Sequence, residues 1–182
     1  IVEHVAVHLN LPVGVFSMEM TKKALVLRLI GSLARVNLRR IQDGFMPATD
    51  FPKLTTAAGQ LNHAPIFIND KSSMTILELR ARARRMKRMF GIRLLVIDYL
   101  QLMSSQRRGN TNRQEEVSEI SRGVKGIAKE LDIPVIVLSQ LSRQIEQDKN
   151  RRPRLADLRE SGAIEQDADL VAFLYKPEGD ED

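Results

Sequence analysis

The chain has 182 residues, a length that suits one domain with enough residues to bury a core. Apolar residues make up 43% and charged residues 28%, a balance typical of a folded globular protein. The absence of cysteine excludes disulfides, thiolate catalysis and cysteine-based zinc sites. No apolar run approaches a membrane span of about 20 residues, and no signal peptide is visible. We therefore expect a cytoplasmic protein without a membrane partner, whose net charge of +5 permits a nucleic-acid partner without requiring one.

Short apolar strands alternate with amphipathic helices in the first half of the chain. Thr21 supplies a side-chain oxygen suited to capping one of these helices. The predicted elements are the end of a helix over residues 1–10, a strand over Val13–Met18, a helix from Thr21 to about Val36, helices near Leu38–Gly44 and Asp50–Leu61, and a short strand over Pro65–Ile68.

The second half of the chain contains clearer signals for where helices begin and end. Thr75-Ile76-Leu77-Glu78 is a capping-box pattern, Gly91 suits a helix C-cap, and Asn112 can cap the next helix. The predicted elements are a helix over Thr75–Phe90 with a solvated basic face, a strand over Leu94–Asp98, a helix ending near Leu131, a strand over Pro134–Ser139 and a last strand over Asp169–Tyr175, with polar loops over Ser104–Thr111 and Arg143–Arg154. This alternation predicts an α/β fold with a mostly parallel sheet and helices on both faces.

Polar side chains follow the ends of three predicted strands. Val15-Phe16-Ser17 leads to Glu19, Val96-Ile97 leads to Asp98, and Val137-Leu138-Ser139 leads to Gln140. In a parallel sheet all three ends open on one edge, where α/β proteins bind their ligands. ATP hydrolysis needs a carboxylate to activate water, a second to hold Mg²⁺ and a neutral donor near the γ-phosphate. The run ending in Asp98 has the form of a Walker B strand, although taken alone such a run is more often a buried strand that ends in a turn aspartate.

Four segments together resemble the ordered motifs of the bacterial replicative helicase family DnaB, and the resemblance covers essentially the whole chain. They are Phe16-Ser17-Met18-Glu19-Met20, Val96-Ile97-Asp98-Tyr99-Leu100-Gln101-Leu102, Leu138-Ser139-Gln140-Leu141-Ser142-Arg143 and the run from Asp157 to Asp169. The last run is the most specific of the four. The resemblance implies a RecA-like P-loop NTPase core and a 5′–3′ helicase that translocates on single-stranded DNA and unwinds duplex at the replication fork.

The resemblance also assigns roles to individual residues. It implies that Glu19 is the catalytic base, that Asp98 holds Mg²⁺ through water, and that Gln140 senses the γ-phosphate. It places Arg159, Glu160 and Gly162 in the loop that grips the single-stranded backbone, where a glycine allows close approach to a phosphate. Without the resemblance, the preferred interpretation of Arg159–Asp169 is the start of a helix with a few charged residues. The implied cofactors are ATP and Mg²⁺, and the implied partners are single-stranded DNA, a homo-hexameric ring, a primase and a helicase loader.

Two family features have no match in the chain. Nothing fits the phosphate-cradling pattern G-x-x-x-x-G-K-[ST], which we expect upstream of Ile1, and the arginine finger is expected downstream of Asp182. Residues 1–182 are therefore expected to be a partial RecA-like motor domain that hydrolyses ATP negligibly by itself.

Two alternatives remain open. Another RecA-like ATPase, such as a recombinase or a circadian-clock ATPase, shares the Walker B strand but should lack the Arg159–Asp169 run. The second alternative is that the chain as given is an inactive interaction or structural module. An ATPase assay of this chain beside the intact protein would distinguish such a module from an ATPase.

Overall fold

The computed structural model describes residues 1–37, 39, 43, 46–104, 112–142 and 152–175, without the side chains of residues 159–161. The helix predicted near Leu38–Gly44 falls almost entirely outside the described residues. The same holds for most of the two polar loops predicted over Ser104–Thr111 and Arg143–Arg154.

A four-stranded sheet forms the centre of the fold, and every pair of neighbouring strands is parallel. Its order is β2-β1-β3-β4. The strands are β1 (Val13–Ser17), β2 (Ile66–Asn69), β3 (Leu94–Asp98) and β4 (Val135–Val137). The central strands β1 and β3 are continuous apolar runs because helices cover both of their faces. The predicted α/β fold with a parallel sheet is confirmed.

Five α-helices and three shorter helical turns surround the sheet in the described part of the chain. The α-helices are α1 (Lys22–Ala34), α2 (Asp50–His63), α3 (Ile76–Phe90), α4 (Arg113–Leu131) and α5 (Gly162–Asp167). A π-helical turn spans His4–His8, and 3-10 turns span Leu100–Leu102 and Leu155–Ser161. None of the described helices combines the length and apolarity that crossing a membrane requires.

The capping signals in the sequence act as predicted. The Thr21 hydroxyl accepts a hydrogen bond from the Ala24 N–H, and Thr75 and Glu78 form a complete capping box at the start of α3. Gly91 ends α3 in the left-handed conformation, with φ of 62°. Local sequence therefore predicts where these helices begin and end.

Successive residues of each strand point to opposite faces of the sheet and enter two separate apolar clusters. On one face, Phe16, Leu95 and Ile97 pack against α3 and α4. On the other face, Val15 and Val96 belong to a cluster that includes residues of the N-terminal turn and of α1. The basic face of α3 is exposed, as predicted, and two of its arginines, Arg80 and Arg84, pair with Glu130 of α4.

The strand predicted over Asp169–Tyr175 does not form. The segment has no regular structure, and Leu170 and Leu174 are 85% and 96% exposed. The Lys125 ammonium of α4 holds the Asp169 carboxylate at 2.6 Å, which fixes the start of the segment against the helix layer. The prediction was wrong because a continuous run of apolar residues forms a strand only where a neighbouring strand pairs with its backbone groups.

Candidate active site at the carboxyl edge of the sheet

The ends of β1 and β3 bring two of the predicted site residues together. Ser17 and Asp98 are paired in the register of these strands, and the Met18 N–H donates to the Asp98 carbonyl at 2.8 Å. The buried Ser17 hydroxyl then donates to the Met20 carbonyl at 2.9 Å and accepts from the Met20 N–H at 3.3 Å. This tight turn leaves Glu19 exposed at the carboxyl edge of the sheet, next to Asp98.

The electrostatics of Asp98 follow from this neighbourhood. Partial burial raises the pKa of the Asp98 carboxyl above its usual value, the negative charge of Glu19 raises it further, and Arg28 of α1 opposes both effects. Neither carboxylate forms an ion pair with another residue in the described part of the chain. The edge therefore carries two neighbouring carboxylates whose repulsion a cation would relieve.

These carboxylates fit a magnesium–nucleotide complex better than a protein-only metal cage. The described residues contain no group of three or more His, Cys, Asp or Glu side chains able to hold a metal. Mg²⁺ typically binds one or two carboxylates and takes its other ligands from phosphates and water. Asp98 and Glu19 match that partial donor set.

Gln140 reaches the same edge through β4, but the strand is shorter than predicted. Regular pairing stops at Val137, and the Leu138 N–H still donates to the Ile97 carbonyl at 2.9 Å. Beyond that point the side chain of Gln101 replaces a neighbouring strand by bonding to Ser139 and to the main chain of Gln140. The strand is short because β3 ends at Asp98 and a 3-10 turn follows, so no strand backbone remains to pair with residues 139 and 140.

Sequence reasoning missed two polar residues at this edge. Asp70 follows β2, and its carboxylate accepts the Lys22 N–H at 2.8 Å, so it caps α1. Gln101 lies within the segment that follows Asp98. In the sequence it could have been noticed as a polar residue between Leu100 and Leu102. Asp70 was also visible as a carboxylate after a predicted strand, but its partner 48 residues away was not.

The predicted DNA-gripping segment is helical rather than an open loop. It consists of 3-10 turns over Leu155–Ser161, with a kink at Leu158, and of the short helix α5. The Ser121 hydroxyl of α4 donates to the Asp167 carboxylate at 2.6 Å, which anchors α5 on the body of the domain. The side chains of Arg159 and Glu160 lie outside the described residues. The helical conformation agrees with the interpretation of Arg159–Asp169 as a helix start. The role of the segment in binding DNA remains a prediction.

No described part of the chain requires a glycine at position 162. Its φ of −51° and ψ of −24° are helical, and a Cβ built on it would meet none of the described atoms within 4 Å. The position is exposed. An exposed glycine that neither conformation nor packing requires is consistent with close approach by an external ligand.

A parallel sheet with neighbouring carboxylates at its carboxyl edge is the arrangement of nucleotide-binding α/β proteins. Residues 1–182 match the family model for the DnaB-like helicase C-terminal domain. The chain belongs to this family and has the RecA-like ATPase fold.

Individual relatives agree with this assignment. The chain is 47% identical over 176 residues to the replicative DNA helicase DnaB of Geobacillus stearothermophilus, a match that covers 97% of this chain and 39% of that protein. It is 46% identical over 176 residues to the replicative DNA helicase DnaC of Bacillus subtilis (strain 168), with the same shares covered. The chain thus spans about two fifths of the length of these relatives.

Two solved structures share the fold closely. One, described as an ATPase domain, superposes with a TM-score of 0.86 at 40% identity, covering 93% of this chain and 61% of that chain. A DnaB-like replicative helicase, from a study of its interactions with primase, superposes with a TM-score of 0.82 at 40% identity. That match covers 90% of this chain and 40% of the helicase chain.

Proposed function

We propose that the protein carrying this chain is an ATP-dependent replicative DNA helicase, which translocates 5′–3′ on single-stranded DNA and unwinds duplex at the replication fork. The observation that supports this most is the pair of carboxylates, Glu19 and Asp98, at adjacent parallel strand ends in a chain of the DnaB-like family.

Glu19 is the proposed base for ATP hydrolysis. It is exposed at the carboxyl edge, so a water molecule can reach its carboxylate, which would accept a proton as the water attacks the γ-phosphate. Asp98 is the proposed magnesium residue and would act through a water ligand. Mg²⁺ bound with ATP neutralises charge on the phosphate oxygens. Gln140 is the proposed neutral donor to the γ-phosphate.

Arg159, Glu160 and Gly162 are the proposed contacts to single-stranded DNA. An arginine beside an exposed glycine suits a phosphate backbone, because the guanidinium pairs with phosphate oxygens and the glycine N–H is open to approach. Binding of this kind reads no base sequence and weakens as the salt concentration rises.

The proposed partners and setting are those that the family resemblance implies. A primase is proposed because a solved DnaB-like helicase is described together with its interactions with primase. A homo-hexameric ring, a helicase loader and a cytoplasmic, nucleoid-associated location complete the proposal.

A fork-unwinding assay with the full-length protein tests this function. We expect displacement of a labelled strand from a forked duplex with ATP and Mg²⁺, dependent on a free 5′ tail and lost in Glu19→Gln. A duplex with only a 3′ tail is the polarity control. DNA-dependent ATP hydrolysis without strand displacement would instead favour another class of RecA-like ATPase, and the absence of ATP hydrolysis would refute the proposal.

A further inference from the structure

We propose that Gln101 is a positioning residue that fixes the main chain of Gln140 and thereby couples the nucleotide site to the DNA-gripping segment. This inference rests on the proposed function, in which Gln140 senses the γ-phosphate. It concerns a residue that does not itself contact ATP or DNA in the proposed mechanism.

The side-chain amide of Gln101 makes a two-point clamp on the backbone of Gln140. Its Nε2 donates to the Gln140 carbonyl at 3.3 Å, and its Oε1 accepts from the Gln140 N–H at 3.2 Å. The same Nε2 donates to the Ser139 Oγ at 2.9 Å. The clamp therefore uses both ends of one amide, as a neighbouring β-strand would use its own N–H and C=O.

The main chain of Gln101 is itself held in place. The Arg113 Nη2, at the start of α4, donates to the Gln101 carbonyl at 2.6 Å, and the Leu100 N–H donates to the Leu138 carbonyl at 3.0 Å. The turn after Asp98 is thus fixed both to the helix layer and to the end of β4. A rigid Gln101 can hold Gln140 in one orientation relative to the strand that ends in Asp98.

One backbone hydrogen bond joins the residues just after Gln140 to the turn that contains Arg159. Two residues beyond Gln140, the Ser142 N–H donates to the Asp157 carbonyl at 3.1 Å. Asp157 is 7% exposed, and its carboxylate accepts the Arg154 N–H at 2.7 Å at the start of the 3-10 turn Leu155–Ser161. We therefore expect a displacement of Gln140 to reach the turn that contains Arg159 through the hydrogen bond between Ser142 and Asp157.

Only glutamine satisfies both points of the clamp at this length. Glutamate keeps the acceptor for the Gln140 N–H but has no donor for the Gln140 carbonyl, and methionine keeps the size but loses both groups. Comparison of Gln101→Met with Gln101→Glu therefore separates loss of the whole clamp from loss of half of it.

The test measures how the bound nucleotide changes DNA affinity in the full-length protein. The Kd for fluorescent oligo-dT is measured with ADP and with a non-hydrolysable ATP analogue, and the ratio of the two values is the coupling factor. Couplings between sites are typically about 5–150-fold. We expect Gln101→Met to bring the ratio to within about twofold of one and Gln101→Glu to give an intermediate ratio.

Ser139→Ala is the matched control, because it removes the third contact of Gln101 and leaves the clamp on Gln140 intact. We expect it to retain the wild-type ratio, and melting curves on every variant report stability separately. A lower melting temperature with an unchanged ratio in Gln101→Met would mean a purely structural role and overturn the inference. Equal loss of coupling in Ser139→Ala would overturn it as well.

Failure of the proposed function has a different signature. If the wild-type protein shows no nucleotide-dependent DNA affinity, the proposed function fails together with this inference. If the wild type shows coupling and both Gln101 variants retain it, only the inference fails. Should Gln101→Met not yield folded protein, Gln101→Glu decides between these outcomes.

Discussion

The carboxylates of Glu19 and Asp98 lie near each other at the ends of adjacent parallel strands, and the charge of Glu19 raises the pKa of Asp98. Burial of Asp98 acts in the same direction and is the larger effect. The ionised Asp98 therefore costs folding stability at neutral pH in the absence of a cation. The same arrangement is suited to Mg²⁺, because a divalent ion offsets the repulsion that destabilises the site.

Asp98→Asn should stabilise the nucleotide-free protein while abolishing its activity. A carboxyl with a raised pKa contributes stability below its usual pKa of 3.8, and that contribution is lost as the pH rises through the raised value. Removing the charge should therefore raise the melting temperature at pH 7.5, with a gain that shrinks as the pH falls toward 3.8. ATP hydrolysis should fall by roughly a hundredfold or more.

Glu119→Gln is the control for this substitution, since it removes a carboxylate of α4 that forms no ion pair with any residue that the structure describes. It should leave ATP hydrolysis unchanged. A lower melting temperature in Asp98→Asn at pH 7.5 would show that the ionised carboxylate is stabilising and contradict the prediction.

Glu19→Gln should separate hydrolysis from nucleotide binding. The amide keeps the size of the side chain but cannot accept a proton from water, and loss of a general base costs about 10²–10⁴-fold in rate. We expect turnover to fall within that range, while the Kd for a fluorescent ATP analogue stays within a few-fold of wild type. Turnover close to wild type would show that Glu19 is not the catalytic base and merely follows the end of a strand.

Gly162→Ala should weaken DNA binding without weakening the fold. The backbone at Gly162 is helical and the space around it is open, so alanine should leave the free energy of unfolding unchanged or raise it by up to about 1 kcal/mol. Affinity for oligo-dT should fall several-fold if a phosphate approaches this backbone closely. Gly59→Ala, in α2, is the control, because its surroundings are equally open and it should leave DNA affinity unchanged.

Arg159→Ala should reduce both the affinity for single-stranded DNA and its salt dependence. Loss of one phosphate contact on a single strand lowers the slope of log K against log salt concentration by about 0.7. Titrations of fluorescent oligo-dT at several salt concentrations measure the slope. Arg82→Ala removes an exposed arginine of α3 and should leave the slope unchanged; equal effects of the two variants would indicate only a general charge effect.

Two glycines of α4 should respond oppositely to alanine. A Cβ at Gly123 would clash with Cγ1 of Ile76, whereas a Cβ at Gly126 would meet none of the described atoms within 4 Å. Gly123→Ala should therefore destabilise the protein by about 1–3 kcal/mol through overpacking, and Gly126→Ala should stabilise it by about 0.5–1 kcal/mol. Denaturant unfolding of both variants checks this, and a stabilised Gly123→Ala would show that α3 moves to accommodate the methyl group.

Local signals in the sequence were sufficient for most elements of the fold. Thr75 with Glu78 and Gly91 predicted both ends of α3, and the apolar run before Asp98 predicted β3, because capping and strand burial depend on neighbouring residues. The resemblance to the DnaB family also came from sequence, and the family match confirmed it. The roles of Glu19, Asp98, Gln140 and the DNA-gripping residues remain predictions that these experiments test.

Only the tertiary structure decided which distant residues meet. Gln101 clamps Gln140 across 39 residues of chain, Asp70 caps α1 across 48, and Ser121 anchors Asp167 across 46. No local pattern encodes such pairs, because each depends on how parallel strands and their covering helices align. The strand predicted over Asp169–Tyr175 failed for the same reason, since an apolar run is a local property whereas strand pairing requires a neighbour that the fold must supply.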